Sequence, residues 1–79
     1  MADEVTAYVL IQTAVNAAHV AHEIRTLEGI ENAEDVSGPY DVVVRVSASS
    51  MDELGKMVVS RIQTIEGITR TLTCPVVKL

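Results

Sequence analysis

The segment IRTLEGI, residues 24–30, decides the fold, because the chain writes it again as IQTIEGI at residues 62–68. In each copy Glu-Gly follows an apolar residue, and an isoleucine follows the glycine. A glycine at a helix C-terminus adopts the left-handed conformation without a Cβ penalty, and a β-branched residue suits the start of a strand. Each copy therefore predicts a helix that ends at a glycine, Gly29 or Gly67, and leads into a strand.

Two segments that precede these helices also resemble each other. Residues 5–14, VTAYVLIQTA, and residues 40–48, YDVVVRVSA, are rich in β-branched residues and predict strands. The first is apolar at Val9 and Ile11 and also at Tyr8 and Leu10, which predicts burial on both faces.

The remaining strands are weaker in pattern. Residues 30–37, IENAEDVS, alternate poorly and are acidic, which suits a strand at the edge of a sheet. Gly38 and Pro39 predict a turn. Residues 68–79, ITRTLTCPVVKL, predict a last strand in which Pro75 weakens or bends the pairing.

Both helices are amphipathic. Asn16 is the predicted N-cap of the first, and Ser50 with Glu53 forms a capping box that starts the second near Met51. Gly55 inside the second helix predicts close approach to a neighbouring element. The apolar faces consist of Ala17, Val20, Ala21, Ile24 and Leu27 in the first helix, and of Leu54, Met57, Val58, Ile62 and Ile65 in the second.

The resulting order is strand, helix, strand, strand, helix, strand, within one domain that covers residues 1–79. Right-handed crossovers then favour an α+β, ferredoxin-like βαββαβ arrangement, a four-stranded antiparallel sheet with both helices on one face. The other face would leave apolar side chains in water. Covering ~500 Å² there is worth about 12 kcal/mol before association costs, so we predict a dimer formed through the sheet.

Charge and composition exclude several classes of protein. The net charge is −5, and six basic residues are spread singly, so direct binding of nucleic acid is not expected. No segment is long and apolar enough to predict a membrane span, and the acidic start MADE does not resemble a secretory signal. A cytoplasmic location is the resulting expectation.

No catalytic or cofactor motif is present in the sequence. It contains no phosphate loop, dinucleotide fingerprint or nucleophile elbow, so we expect no enzyme activity and no cofactor. His19 and His22 lack a third metal ligand, since Glu23 is expected to turn away from them, and they are interpreted as solvated helix surface. Cys74 is interpreted as a small apolar strand residue.

The segment SGPYD, residues 37–41, combines a tight turn with Tyr40 and Asp41. An aromatic ring, a hydroxyl group and a carboxylate beside backbone amides suit a small zwitterion. The alternative is an Asx-type turn in which Asp41 bonds to local backbone. Both interpretations stay open on the sequence, and the acidic cluster Glu31, Glu34 and Asp35 is interpreted as a charged strand edge.

The segments GPYDVVVRV and IQTIEGITRTLTCPVV resemble the C-terminal effector-binding domain of the Lrp/AsnC regulators, also called the RAM domain. The resemblance rests on Gly-x-Tyr-Asp and Gly-Ile-x-x-Thr and extends from about Val5 to Val77. It implies the same fold, dimers formed through the sheets, rings that are commonly octamers, and amino acids or similar small effectors bound between dimers. It also implies a pocket lined by Gly38, Tyr40 and Asp41, with Met51, Thr71 and Thr73.

The sequence departs from that family in two respects. Its regulators begin with a DNA-binding helix-turn-helix, whereas only MADE precedes the first strand here, which predicts a stand-alone domain. Pro39 removes one backbone donor from the turn. Our main hypothesis is a non-catalytic sensor that tunes full-length regulators by mixed assembly. The alternatives are a small dimeric enzyme with a cavity between sheet and helices, and a purely structural assembly partner.

Overall fold

The computed structural model describes residues 4–14 and 17–77. They form a single sheet of four strands and two helices. In chain order the elements are β1 (Val5–Thr13), α1 (Ala17–Arg25), β2 (Ile30–Asp35), β3 (Val42–Ala48), α2 (Met51–Met57), which continues as a π-helix (Val58–Ile62), and β4 (Ile68–Pro75).

The sheet order is β2-β3-β1-β4, and every neighbouring pair is antiparallel. This is the predicted ferredoxin-like βαββαβ topology, which is confirmed. The acidic strand β2 lies at one edge, as predicted, and β4 lies at the other. In the centre, β3 and β1 pair with Val44 opposite Val9.

The core lies between the sheet and the helices. Alternate residues of the two central strands point into it, and both helices turn their apolar face toward the same side. No polar side chain is buried among the described residues. The buried side chains are those of Ala7, Val9, Ile11, Val20, Ala21, Ile24, Ala33, Val42, Val44, Val46, Leu54, Met57, Val58 and Ile62.

The repeated segment forms the same local structure twice. The Leu27 amide donates to the Ile24 carbonyl at 3.0 Å, and the Ile65 amide donates to the Ile62 carbonyl at 3.1 Å. Gly29 and Gly67 have φ values of 90° and 103°, so the predicted left-handed glycines are confirmed. The backbone conformation after each helix therefore requires a glycine.

Both regular helices end earlier than predicted. Helix α1 ends at Arg25 and the π-helix ends at Ile62, with a short turn before each glycine. A threonine near each exit contributes to this: the Thr26 hydroxyl donates to the Glu23 carbonyl at 2.7 Å, and the Thr64 hydroxyl donates to the Arg61 carbonyl at 3.1 Å. These hydroxyls occupy carbonyls that a continuing helix would use.

At the start of α2 the Ser50 hydroxyl accepts the Glu53 amide at 3.2 Å, which confirms the serine half of the predicted capping box. The role assigned to Gly55 was wrong. A Cβ at Gly55 would meet no atom within 4 Å, so no neighbouring element approaches it. The sequence cannot tell a glycine that admits a neighbour from one on an open helix face.

The strand limits differ slightly from expectation. Strand β2 ends at Asp35 and β3 begins at Val42, so the intervening residues form a longer connection than the predicted Gly-Pro turn. Strand β4 ends at Pro75, where proline removes a ladder donor. The predicted N-cap Asn16 lies outside the described residues. Of the helices in residues 4–14 and 17–77, none is long and apolar enough to span a membrane.

Candidate ligand-binding site

The connection between β2 and β3 is held against the end of β1. The Asp41 amide donates to the Ile11 carbonyl at 2.8 Å, and the Gln12 side-chain amide donates to the Pro39 carbonyl at 2.8 Å. The Val36 amide donates to the Asp41 carbonyl at 2.8 Å and closes the loop. Gly38 at its tip has a φ of 147°, a conformation that side chains rarely adopt. The predicted Gly38–Tyr40–Asp41 group is thus anchored to a central strand.

The Asp41 carboxylate bonds to distant backbone. Its Oδ2 accepts the Thr13 amide at 2.8 Å and the Thr13 hydroxyl at 3.2 Å. The predicted Asx-type alternative placed this bond inside the turn, whereas the partner is 28 residues away in sequence. Because both bonds use Oδ2, the carboxylate has a structural role through one oxygen and retains acceptor capacity at Oδ1.

Tyr40 is half-buried beside this carboxylate in sequence, and Asp41 is half-buried as well. The turn thus places a half-buried carboxylate next in sequence to a half-buried aromatic side chain. This combination suits a ligand with an ammonium group, because a carboxylate oxygen accepts a charge-assisted hydrogen bond from it.

Thr71 lies near the same end of the sheet, on the far side of β1. It pairs with Ile11, and Thr73 pairs with Val9, so both threonines face the helix side of β4 and are half-buried. The Gln63 side-chain amide donates to the Thr71 hydroxyl at 2.8 Å. One strand therefore separates Thr71 from β3, a separation of about 10 Å between strand axes.

Met51 does not join this group within one chain. It begins α2 after β3 has run from Val42 to Ala48, about 20 Å along the sheet, and it is 49% exposed. Asp41 lies before the start of that strand, and Met51 lies beyond its end. Of the six predicted residues, one chain brings together Gly38, Tyr40 and Asp41, places Thr71 and Thr73 nearby, and leaves Met51 apart.

Two surface grooves differ in their relation to the predicted residues. The larger, of about 370 Å³, lies between the end of β3 and α2 and includes none of the six predicted residues. The smaller, of about 270 Å³, is lined by Gln63, Ile68, Thr69, Arg70 and Thr71. The smaller groove is the more relevant of the two, because it includes Thr71 and lies at the Asp41 end of the sheet.

Four residues at the Asp41 end of the sheet were not predicted from the sequence. Gln12 and Thr13 bind the turn, Gln63 binds Thr71, and Arg70 pairs with Gln12 and lines the smaller groove. Gln12 and Thr13 reach the turn through strand pairing, and Gln63 reaches a residue eight positions further along the chain, so no local spacing could reveal this group. The available sequence signal was the polar pair Gln12 and Thr13 at the end of the apolar strand β1.

The other candidate residues lie elsewhere. His19 and His22 are exposed, as interpreted from sequence, but Glu23 does not turn away: its Oε2 lies 2.9 Å from His19 Nε2. The i, i+4 spacing accounts for this pair. Within the described residues no group of three potential metal ligands occurs. Cys74 lies in β4 and is exposed.

Comparison with known proteins identifies the family. The model of the Lrp/AsnC ligand binding domain matches residues 6–79. An uncharacterized HTH-type transcriptional regulator of Pyrococcus furiosus is 31% identical over 72 residues, which are 86% of this chain and 48% of the regulator. The chain thus spans about half the length of the curated regulators that it matches.

A structure from Thermus thermophilus, that of TTHA0845, is similar over the whole domain. It superposes with a TM-score of 0.88 and 32% sequence identity, covering 95% of each chain. The chain also resembles 14% of the homocitrate synthase of Sulfolobus acidocaldarius, with 33% identity over 64 residues. The family match, the regulator relatives and the shared fold agree with one another. The chain therefore belongs to the Lrp/AsnC ligand-binding domain family and is a regulatory domain of that family.

Proposed function

We propose that this domain senses an amino acid or a similar small zwitterion, without catalysis, at the end of the sheet that carries the Gly38–Asp41 turn. The observation that carries the proposal is that, within residues 4–14 and 17–77, Asp41 is anchored to Thr13 through Oδ2. The anchored carboxylate is held in place before any ligand arrives, so little ordering entropy opposes binding.

The chemistry of the residues at this end of the sheet supports a zwitterion. Asp41 Oδ1 accepts the ammonium group, and the ring of Tyr40 covers an apolar side chain. Arg70 is the exposed cation nearest to this end by strand register, since it pairs with Gln12, whose side chain reaches Pro39. Its guanidinium is suited to hold a ligand carboxylate by two parallel hydrogen bonds.

The pocket is completed by assembly. Met51 lies at the opposite end of β3 from Asp41, so Met51 joins the site only if another chain supplies it. We therefore propose dimers formed through the sheet, an octameric ring of dimers with effectors between them, and mixed assembly with full-length Lrp/AsnC regulators. A cytoplasmic location belongs to the same proposal.

Isothermal titration calorimetry with each of the twenty amino acids tests this function. We expect saturable heat with one or a few of them, at one ligand per chain or per two chains. A well-folded oligomer that gives no heat with any amino acid would overturn the sensing proposal.

Matched variants locate the site. Tyr40→Phe removes only a hydroxyl, Thr71→Val replaces a hydroxyl by a methyl group, and Arg70→Gln removes the cation. Ser49→Ala in the larger groove, at the other end of the sheet, is the control. We expect weaker binding of about tenfold or more for Arg70→Gln, because a charged hydrogen bond is lost, and no change for Ser49→Ala.

A second partner class is favoured by the similarity to a homocitrate synthase. The same domain type there forms a small part of an enzyme, so the chain is suited to regulate an enzyme subunit instead of a DNA-binding protein. Light scattering of the chain mixed with a full-length regulator or with a synthase separates the two. If the chain forms mixed particles with the synthase and not with the regulator, an enzyme partner would replace the transcriptional regulator in this proposal.

A further inference from the structure

The face of the sheet away from the helices is divided into an apolar part and a polar part. We call this surface the open face. In antiparallel pairs opposite residues share a face, and Val9 and Ile11 point into the core, so Tyr8 and Leu10 point out. A row of apolar side chains crosses three strands, because Leu10 is opposite both Val43 and Leu72. Leu72 is 46% exposed in the single chain.

Beside this apolar row lies a cluster that we call the Arg45 network, formed by Tyr8, Glu31, Arg45 and Ser47. Arg45 Nε donates to Glu31 Oε1 at 2.7 Å, and Arg45 Nη1 donates to the Tyr8 hydroxyl at 2.6 Å. The Ser47 hydroxyl donates to Glu31 Oε2 at 2.7 Å, and the Arg45 guanidinium carbon lies 5.4 Å from the centroid of the Tyr8 ring. Both carboxylate oxygens are used, and the network carries no net charge.

The ion pair in this network is too exposed to add much to the stability of a single chain. The side chains of Arg45 and Glu31 are 43% and 46% exposed. Exposed ion pairs contribute little to stability, because water screens them and two long side chains lose freedom. Yet four residues from three strands form this network. Such organisation matters most when the surface is covered, because a charge taken out of water must be paired.

We propose that the Arg45 network selects which chains can pair through the open face. This inference rests on the proposed pairing through the sheet. A two-fold contact brings the same surface of each copy together, and an apolar row is complementary to itself. A second copy with a closed, neutral network covers this cluster without leaving Arg45 or Glu31 unpaired. A chain with the network opened is rejected, because its remaining charge is desolvated without a partner.

Three variants test this selection. Glu31→Gln leaves Arg45 without its carboxylate, Arg45→Gln leaves Glu31 without its cation, and the double variant Glu31→Gln/Arg45→Gln removes both charges. Sedimentation equilibrium gives the dimer dissociation constant of each. We expect each single variant to weaken the dimer about tenfold or more, and the double variant to recover to within about threefold of the wild-type chain.

The controls separate this proposal from the pairing on which it rests. Leu72→Glu charges the apolar row and is expected to abolish any dimer that uses the open face. If Leu72→Glu leaves the dimer intact, or if the wild-type chain stays monomeric, the pairing through the sheet is overturned together with the selection.

If the single variants dimerise as tightly as the wild-type chain, or the double variant is as weak as the single ones, only the selection is overturned. Circular dichroism checks that each variant keeps the fold, which is expected because all the altered side chains lie outside the core.

Discussion

The two βαβ units of the chain end their helices in the same way, but the carboxylates near their strand ends bind different kinds of group. At the end of β1, Asp41 accepts the backbone amide of Thr13 as well as its hydroxyl. At the end of β3, Glu31 accepts only side-chain donors, from Ser47 and Arg45. One carboxylate therefore fixes the path of the backbone beside the candidate site, and the other organises a surface.

This difference separates residues that shape the domain from residues that prepare it for a partner. The carbonyls of Gly29 and Gly67 also take part in equivalent bonds, since they accept the amides of Ser47 at 3.2 Å and Ala14 at 2.9 Å. The two exits are thus equivalent in backbone structure. What distinguishes the halves is the chemistry of the side chains at their strand ends.

The largest expected change in the free energy of unfolding tests whether the two helix ends are equivalent. Ile24 and Ile62 occupy the same position of the repeat, and neither side chain is exposed. We expect Ile24→Ala and Ile62→Ala each to lower the free energy of unfolding by about 3 kcal/mol, because each leaves a cavity in the same core. Urea denaturation measures both. Val59→Ala, at a residue that is 61% exposed, is the control, and a difference above ~2 kcal/mol between the two isoleucines would contradict the equivalence.

The next effect separates the two carboxylates. Asp41→Ala removes the two hydrogen bonds that Thr13 donates to Oδ2, and we expect a loss of about 2 kcal/mol in the free energy of unfolding. Glu31→Ala removes bonds among exposed side chains only, so its loss in the single chain is expected to be smaller. Denaturation at low chain concentration compares them. An equal loss for both would show that Asp41 has no special role in the backbone.

A smaller effect concerns glycines. Gly29→Ala places a side chain at a φ of 90° and 3.3 Å from Met57 Cε, and we expect a loss of about 1 kcal/mol. Gly55→Ala is the matched control inside a helix with open space around it, and there we expect a gain of up to about 1 kcal/mol. Thermal unfolding measures both. If Gly55→Ala destabilises the protein, the sequence-based prediction of close approach at Gly55 would be supported again.

The smallest effect is a pH dependence of the Arg45 network. The hydrogen bond from Ser47 and then that from Arg45 lower the pKa of Glu31 below its usual value of 4.5. A lowered pKa means that the contribution of Glu31 is complete above 4.5 and is lost as the pH falls through the folded-state pKa. The thermal midpoint of Glu31→Gln should therefore fall less between about pH 5 and pH 3 than that of the wild-type chain. Parallel curves for the two proteins would mean that the network adds nothing to the folded chain.

Much of the fold was predictable because its signals are local. The repeated Glu-Gly exits, the capping box of Ser50 and Glu53, and the apolar alternation of β1 and β3 each predicted an element that the structure contains. The limits of the elements were less predictable. The Thr26 and Thr64 hydroxyls bond to nearby carbonyls where the regular helices end, and the sequence pattern of an apolar face does not indicate such bonds.

The candidate site was predictable only in part. Gly38, Tyr40 and Asp41 are adjacent in the chain, so their grouping needed no tertiary structure. The partners Gln12 and Thr13 come from a strand about 28 residues earlier, and the distance of Met51 from the turn depends on the length of β3. Strand register decides such relations, and register depends on pairing across the whole sheet.

The sequence by itself determined the order of the elements, the two left-handed glycines and the side of each helix that faces the core, because these depend on residues a few positions apart. Tertiary structure alone decided that Asp41 holds the end of β1 and that Glu31, Arg45, Tyr8 and Ser47 form one network. The physical reason is that hydrogen bonds between strands join residues by their position in the sheet, whatever their distance along the chain.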